Sequence, residues 1–365
     1  MQSEESGTLL SDIKSEKLHW LWEKRIPRGK LTILDGDPGL GKSLLTLDLA
    51  ARITTGRAMP DGTPGVKGNV LLIALEDRAA DTIKPRIEAA GGDPSRIRLL
   101  DTVHSTNRET GETLWSPFIL SNSSHFDTLV KITYKTLPKL VILDPLMAIL
   151  GSRVSASYDQ KAREHLSYLA LMADRASCAV LIVRHLNKGN SENPLYRGGG
   201  SIGIIATART GLLVARHPSD ENKRLLVSIK NNLSEKPDNL TYQVIANADG
   251  IPSIQWLGTN NLPVASILRG SIPLSLERQD ILKVLQATSR PLSPKELAEQ
   301  TGQDHTLVRQ LLRRMLNAGD ITSPAYGLYT THHPPSPETL VSQNNAATPT
   351  TPTTVTTPTT PPHHS

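Results

Sequence analysis

The octapeptide Gly36-Asp37-Pro38-Gly39-Leu40-Gly41-Lys42-Ser43 constrains the fold of this chain more than any other feature. The apolar run Leu31-Thr32-Ile33-Leu34 precedes it, and a leucine-rich stretch without Gly or Pro follows it. A strand, a glycine-rich loop and a helix in this order form a phosphate-binding loop, because backbone N–H groups surround an anion at a helix N-terminus. We therefore predict that all eight residues bind ATP, with Lys42 on the β- and γ-phosphates and Ser43 on Mg²⁺.

The composition indicates a globular chain with one large core and room for a small second domain, since it has 365 residues. The formal net charge of +5 permits nucleic-acid binding without requiring it. Cys178 is the single cysteine and precedes an apolar run, which indicates a core position in a reducing compartment. No apolar run reaches the roughly 20 residues of a membrane helix. Because the acidic N-terminus also lacks a signal-peptide pattern, we expect a cytoplasmic protein without membrane contact.

Short apolar runs alternate with helical stretches over residues 30–260. This alternation predicts an α/β domain with a mostly parallel sheet and helices on both faces. After Arg209 the runs shorten, and we expect antiparallel strands at the edge of the sheet. The predicted strands are 30–35, 69–75, 97–100, 140–144 and 179–184, followed by 212–215, 224–229, 242–245 and 254–257. The predicted helices are 43–54, 80–90, 126–136 and 159–174.

Three further regions flank this domain. Residues 1–29 form a leader whose Trp20-Leu21-Trp22 cluster we expect to pack on the first strand or on a neighbouring subunit. In residues 271–332 we predict a helix at 276–287 and then a short helix that starts with the N-cap and first turn Ser293-Pro294-Lys295-Glu296 and ends at Thr301-Gly302. A longer helix at 304–318 and a hairpin at 321–329 follow, which completes a winged helix-turn-helix pattern. Residues 333–365 are rich in Pro and Thr, and we expect a disordered tail because they contain little apolar surface to bury.

Acidic residues follow two of the predicted strands. Leu140-Val141-Ile142-Leu143-Asp144 is an apolar strand that ends in Asp, as expected of a Walker B carboxylate that holds Mg²⁺. Pro145 follows it, so the hydrolytic base is not adjacent to Asp144. Glu76 and Asp77 end the second strand, where parallel strands line a ligand crevice, and Glu76 is our candidate for the base that activates water. Asp77 would support Glu76 or reach the metal, and the alternative is that it caps the next helix.

These motifs together resemble RepA-type hexameric replicative helicases and related RecA-fold P-loop ATPases, over roughly residues 18–260. The residues that carry the resemblance are the phosphate loop, Trp20-Leu21-Trp22, Pro27-Arg28-Gly29-Lys30, Ala74-Leu75-Glu76-Asp77, Leu143-Asp144-Pro145-Leu146, Arg184-His185-Leu186-Asn187-Lys188 and Arg197-Gly198-Gly199-Gly200-Ser201. The resemblance implies a RecA-like core, a hexameric ring with ATP sites at subunit interfaces, and action on DNA. The winged helix and the tail extend beyond the family's pattern.

The resemblance also implies roles for individual residues. His185 resembles the polar sensor of the γ-phosphate, and Arg209 resembles an arginine finger that enters a neighbour's site. Their alternatives are a strand-end histidine and a surface arginine. Lys230-Asn231-Asn232 would also point at a neighbour's nucleotide, and Arg86 would lie near the phosphates or on a solvated helix face.

DNA has two candidate contacts in this chain. In such rings the loops after the Walker B and sensor strands, here about 151–158 and 187–201, face a channel that holds single-stranded DNA. In the winged helix, Arg309, Arg313 and Arg314 lie on the helix that reads duplex DNA in related motifs. Residues 276–320 carry seven basic and six acidic side chains, so a protein partner is the alternative for this domain.

The sequence thus predicts a DNA-dependent ATPase of the RepA-like helicase type, with ATP and Mg²⁺ as cofactors and a homo-oligomeric ring as the assembly. It would act on single-stranded DNA in replication or recombination. The alternative is an ATP-dependent switch that loads, regulates or recruits other factors, and that uses its winged helix to bind duplex DNA or a protein partner without translocation.

Overall fold

The computed structural model describes residues 7–106, 110–151, 158–185, 202–264, 267, 276–288, 290–318 and 320–331. It divides into two compact units, Met1–Ile272 and Pro273–Ser365. The predicted tail and the predicted DNA-channel loop at 187–201 lie outside the described residues, as does 152–157 of the other loop. No helix in the described ranges is long and apolar enough to cross a membrane.

The large unit contains thirteen strands among its described residues. They are β1 (Trp20–Trp22), β2 (Ile26–Pro27), β3 (Leu31–Gly36), β4 (Val70–Ala74), β5 (Ile97–Leu99), β6 (Thr102–Thr106), β7 (Thr113–Pro117), β8 (Leu140–Asp144), β9 (Ala179–His185), β10 (Thr210–His217), β11 (Asp220–Asn231), β12 (Asn239–Ala246) and β13 (Pro252–Asn260). The α-helices described in this unit are α1 (Lys42–Thr55), α2 (Lys84–Ala89), α3 (Ser123–Thr136), α4 (Leu146–Leu150), α5 (Tyr158–Arg175) and α6 (Ile202–Thr207).

A nine-stranded sheet organises the large unit, in the order β13-β12-β11-β10-β3-β9-β8-β4-β5. Strands β10, β3, β9, β8, β4 and β5 are parallel, and β11, β12 and β13 extend the sheet in antiparallel fashion. The predicted α/β core with a mostly parallel sheet and an antiparallel edge is therefore confirmed. This RecA-like P-loop NTPase architecture is the fold that the family resemblance implied.

The central strands are buried on both faces, as their continuous apolar runs predict. In β8, Leu140 and Ile142 contribute to the apolar cluster that contains α1, whereas Val141 and Leu143 contribute to the cluster that contains α5. Because successive side chains of a strand point to opposite faces, an all-apolar strand needs helices on both sides. The sheet thus forms the middle layer between two helical layers and holds its strand ends in fixed positions.

Two local features differ from the sequence prediction, and a third adds detail to it. The helix predicted at 80–90 is a π-helical turn, Ala79–Ile83, followed by α2, because Pro85 lacks an N–H and fits only near the start of an α-helix. Strands β6 and β7 form an antiparallel hairpin that the sequence pattern did not indicate. The Trp20-Leu21-Trp22 cluster is strand β1, which pairs with β2 and buries Trp22 fully.

The small unit is a winged helix-turn-helix. Its elements are α7 (Leu276–Ala287), α8 (Pro294–Thr301), α9 (His305–Ala318), β14 (Thr322–Ala325) and β15 (Leu328–Thr330). Ser293 and Glu296 form a capping box at the start of α8, and β14 and β15 form the wing. A separate apolar cluster, which includes Leu285, Leu312 and Met315, holds this unit together.

Candidate active site

The strand register brings the predicted site residues to one edge of the sheet. Gly36 at the end of β3 lies beside His185 at the end of β9, and Ala74 at the end of β4 lies beside Asp144 at the end of β8. These four strands are neighbours, and the carboxyl ends of parallel strands meet at the same edge. The phosphate loop, His185, Asp144 and Glu76 therefore surround one cleft.

The phosphate loop has the backbone that its glycines require. Gly39 and Gly41 have φ of 76° and 82°, in the left-handed region that favours glycine. At Gly36 a Cβ would lie only 2.8 Å from the carbonyl oxygen of Val214. Lys42 is buried, and its Nζ donates hydrogen bonds of 2.8 Å to the carbonyl oxygens of Gly36 and Asp37. Burial lowers the pKa of Lys42 to about 8, and Asp144 opposes this shift.

Ser43 and Asp144 are the residues that would hold Mg²⁺. Asp144 is almost fully buried, and burial raises its pKa to about 6 while a hydrogen bond with Ser43 opposes that shift. Carboxylate and hydroxyl oxygens are ligands that Mg²⁺ prefers, so the two residues fit this ion. In the described part of the chain, no group of three or more His, Cys, Asp or Glu side chains could hold a metal alone.

Glu76 and His185 face each other across the cleft, with Nε2 of His185 3.9 Å from Oε2 of Glu76. Burial lowers the pKa of His185, Lys42 lowers it further, and Glu76 opposes both. The lowered pKa favours the neutral imidazole at pH 7, and its buried Nδ1 has no hydrogen-bond partner among the described residues. Because Glu76 is 59% exposed, its carboxylate can reach a water molecule in the cleft. A carboxylate and a neutral imidazole in this position can orient water and respond to a phosphate.

Asp77 and Arg86 form an ion pair beside Glu76, with Nη1 of Arg86 3.0 Å from Oδ2 of Asp77. The residue before the π-helical turn is Arg78, and no side chain caps the turn there. The alternative in which Asp77 caps the helix is therefore wrong.

The cleft has a volume of about 670 Å³. Its lining includes the phosphate loop from Pro38 onwards, Glu76, Asp77, Arg86, His185, Arg224, Val244 and Pro252.

Arg209 lies at the amino ends of the parallel strands, whereas the cleft lies at their carboxyl ends. Its backbone N–H donates to the carbonyl oxygen of Leu31, at the start of β3, whereas the phosphate loop follows the end of β3. Lys230 lies nearby on β11, and its Nζ donates to the carbonyl oxygen of Ile205. Burial and the charge of Arg209 lower the pKa of Lys230. The structure therefore brings Lys42, Ser43, Glu76, Asp144 and His185 together and leaves Arg209 apart from them.

Sequence reasoning missed a buried ion pair next to the site. Nε and Nη2 of Arg184 donate to the two carboxylate oxygens of Asp35 at 2.7 and 2.8 Å, and both side chains are 0% exposed. Asp35 precedes Gly36, and Arg184 precedes His185, so the pair fixes β3 against β9 one residue before the site. A charged residue within each of two apolar strands was the available signal.

Comparison with known proteins supports both units. A family model described as an AAA domain matches residues 5–191, which is more than half of the chain. A second model, described as a winged helix-turn-helix that binds DNA, matches residues 278–322. No curated protein matches the chain significantly.

Proposed function

The chain belongs to the AAA domain family, and from this premise we propose that it is a DNA-dependent ATPase of the RepA-like helicase type. It would couple ATP hydrolysis to action on single-stranded DNA in replication or recombination. The observation that carries the ATPase assignment is the convergence of Lys42, Ser43, Glu76, Asp144 and His185 on one cleft. The winged helix associates the chain with DNA.

Each residue of the cleft has a role in this proposal. Backbone N–H groups of residues 36–43 and the ammonium of Lys42 bind the phosphates. Ser43 and Asp144 hold Mg²⁺, which when bound neutralises charge on the phosphate oxygens. Glu76 orients the attacking water and accepts its proton. His185 donates a hydrogen bond towards the γ-phosphate and responds to its loss.

The assembly we propose is a homo-oligomeric ring, with six subunits in the RepA-like case. Arg209 would complete the site of the adjacent subunit, because it lies at the edge of the sheet opposite its own phosphate loop. A guanidinium suits this role because it is always charged and stabilises charge that develops on the phosphoryl oxygens. The loops at about 151–158 and 187–201 would contact single-stranded DNA in the channel.

The second candidate function is a nucleotide switch that does not translocate. The observation that favours it is the winged helix, in which α9 carries the exposed Arg309, Arg313 and Arg314. A helix with exposed arginines fits the major groove of duplex DNA, and a protein surface is the other candidate partner. In this case ATP would control loading, regulation or recruitment, and duplex DNA rather than single-stranded DNA would stimulate turnover.

ATP turnover of the full chain without DNA, with single-stranded DNA and with duplex DNA tests both functions. Strong stimulation by single-stranded DNA supports the motor, and stimulation by duplex alone supports the switch.

The Glu76→Gln variant tests the assignment of the base. Its turnover should fall by about 100-fold or more while it still binds ATP. Glu23→Gln, which changes an exposed carboxylate that does not line the cleft, is the matched control. Full activity of Glu76→Gln would exclude Glu76 as the base.

A further inference from the structure

The antiparallel extension of the sheet reaches the phosphate loop. The Tyr242 hydroxyl on β12 donates to the carbonyl oxygen of Leu40, inside the loop, at 3.3 Å. On β13, Nε1 of Trp256 donates to Oδ2 of Asp48 in α1 at 2.8 Å. Tyr242 and Trp256 are paired across the two strands and their rings are in contact. One face of the extension therefore packs on the helix that begins at the phosphate loop.

The same face continues past the loop into the open cleft. Val244 is two residues beyond Tyr242 on β12, so its side chain lies on the same face. Val244 lies beside the phosphate loop: a Cβ built on Gly41 would be 3.7 Å from Cγ2 of Val244. The Val244 side chain is nevertheless 42% exposed. Pro252 is paired with Ala246, the next residue of this face, and both Val244 and Pro252 line the cleft.

Arg224 adds a cation to this surface. It is paired with Tyr242 across β11 and β12, so it shares the face, and it lines the same cleft. Its Nη1 donates to the carbonyl oxygens of Glu221 and Lys223, which fixes the guanidinium. Its Nε is buried and has no hydrogen-bond partner in the described part of the chain. An apolar shelf beside a fixed planar cation is a surface for a flat, heteroaromatic ligand.

The order of the strands indicates which part of ATP lies there. In the sheet, β4 is the third strand from β3 on one side, and Glu76 follows β4. On the other side of β3 the third strand is β12, which carries Val244. The phosphate loop follows β3 between them. If the γ-phosphate lies towards Glu76, the ribose and base extend in the opposite direction, towards the extension.

We propose that Val244, Pro252 and Arg224 form the nucleobase shelf of this ATPase; the inference rests on the proposed function. The base packs on Val244 and Pro252 through its face, and Arg224 lies at its edge. Because Val244 and Pro252 have no polar side-chain atoms, they contact the base without distinguishing its exocyclic groups. The loss of affinity caused by substituting Val244 should therefore be similar for ATP and GTP.

The test compares ligands with and without a base on the full chain. Binding of ATP, GTP and inorganic tripolyphosphate, each with Mg²⁺, is measured by titration calorimetry. Val244→Ser should weaken ATP and GTP binding by about fivefold, since it removes apolar contact with the base, and should leave tripolyphosphate binding unchanged. Ile245→Ser is the matched control, because Ile245 is the next residue, is 40% exposed and points to the opposite face.

The outcomes separate this inference from the proposed function. A loss confined to ATP and GTP in Val244→Ser supports the shelf. An equal loss for tripolyphosphate would show that Val244 only supports the phosphate loop, and would overturn the inference. Unchanged binding in Val244→Ser, or an equal loss in Ile245→Ser, would overturn it as well. If the unmodified chain bound neither ATP nor tripolyphosphate, the proposed function itself would fail.

Discussion

Asp35 and Arg184 form a fully buried bidentate ion pair that holds the phosphate-loop strand against the sensor strand. Removing one partner leaves a buried charge without compensation, which destabilises a protein by about 3–5 kcal/mol. We therefore expect Arg184→Met to lower the free energy of unfolding by that amount in urea denaturation. Substituting both residues, Asp35→Leu with Arg184→Met, should restore most of the loss because no unpaired charge remains. If Arg184→Met unfolded at the same urea concentration as the unmodified chain, the pair would not stabilise the fold.

Asp144 should reduce stability in exchange for its role at the metal. Burial raises its pKa to about 6, so the folded chain binds the proton more tightly than the unfolded chain does. The fold therefore favours the protonated carboxyl. The free energy of unfolding decreases as the pH rises from 3.8 towards 6, where only the unfolded chain ionises readily, and the loss is constant above about pH 6. Asp144→Asn should raise the free energy of unfolding by about 3 kcal/mol at pH 8 without Mg²⁺.

The same substitution should have almost no effect on stability below about pH 3, where Asp144 is protonated in both states. It should also abolish Mg²⁺-dependent ATP turnover at every pH. Thermal unfolding over about pH 3 to 8 without Mg²⁺ measures the effect on stability, and ATP turnover with Mg²⁺ measures the effect on activity. A destabilised Asp144→Asn variant at pH 8 would contradict the proposed cost of the buried carboxylate.

At the scale of elements, α8 of the winged helix depends on its capping box. Ser293 accepts a hydrogen bond from the Glu296 N–H, and the Glu296 carboxylate accepts from the Ser293 N–H and hydroxyl. We expect Ser293→Ala to destabilise the unit by about 1 kcal/mol and to speed amide hydrogen exchange in α8. Ser323→Ala, which changes an exposed wing hydroxyl, is the control. Equal exchange rates in the two variants would contradict a role for this cap.

The capping box should also withstand acid. Hydrogen bonds from the Ser293 N–H and hydroxyl, together with the contact to Arg290, lower the pKa of Glu296 to about 2. A carboxylate whose pKa is lowered in the fold stabilises it fully above the ordinary value and loses this effect as pH falls through the lowered value. The contribution of Glu296 should thus decline only as the pH falls from about 4.5 towards 2. Exchange in α8 measured between pH 2 and 5 would reveal this decline.

The elements that the sequence predicts well are those whose signals are local. The apolar run of β8 and the cap of α8 lie within a few residues, and both elements were predicted close to their observed bounds. The Asp35–Arg184 pair joins residues 149 positions apart, and local patterns contain no information about that register. The same reason explains why Arg224 and Val244 were missed at the cleft, since only the pairing of β11 with β12 places them on one face. The hairpin of β6 and β7 is largely exposed, so it lacks the apolar alternation that indicates strands.

At the scale of the whole molecule, the parallel sheet separates two sets of charged residues. Lys42, Glu76 and Asp144 lie at the carboxyl ends of their strands, whereas Arg209 precedes β10 at the opposite edge. Strand β10 runs parallel to β3, so Arg209 cannot reach the phosphate loop of its own subunit without unpairing the sheet. If Arg209 takes part in turnover, a second copy of the chain must supply it.

Mixing two inactive variants tests whether Arg209 acts on a neighbouring subunit. We expect Glu76→Gln and Arg209→Ala each to lose ATP turnover alone, because one lacks the base and the other lacks the finger. In a ring assembled from equal amounts of both, about one quarter of the interfaces combine an intact Glu76 with an intact Arg209, so about one quarter of the turnover should return.

A mixture of Glu76→Gln with Lys42→Ala is the matched control for this experiment. Both changes affect residues of the same cleft, so every subunit in the mixture has a defective site of its own and no turnover should return. Recovery in the first mixture alone would require that Arg209 enters the site of an adjacent copy. If Arg209→Ala kept full activity, Arg209 would be a surface arginine and the site would be complete without it. If neither mixture recovered while sedimentation showed mixed oligomers, Arg209 would not act on the site of an adjacent copy.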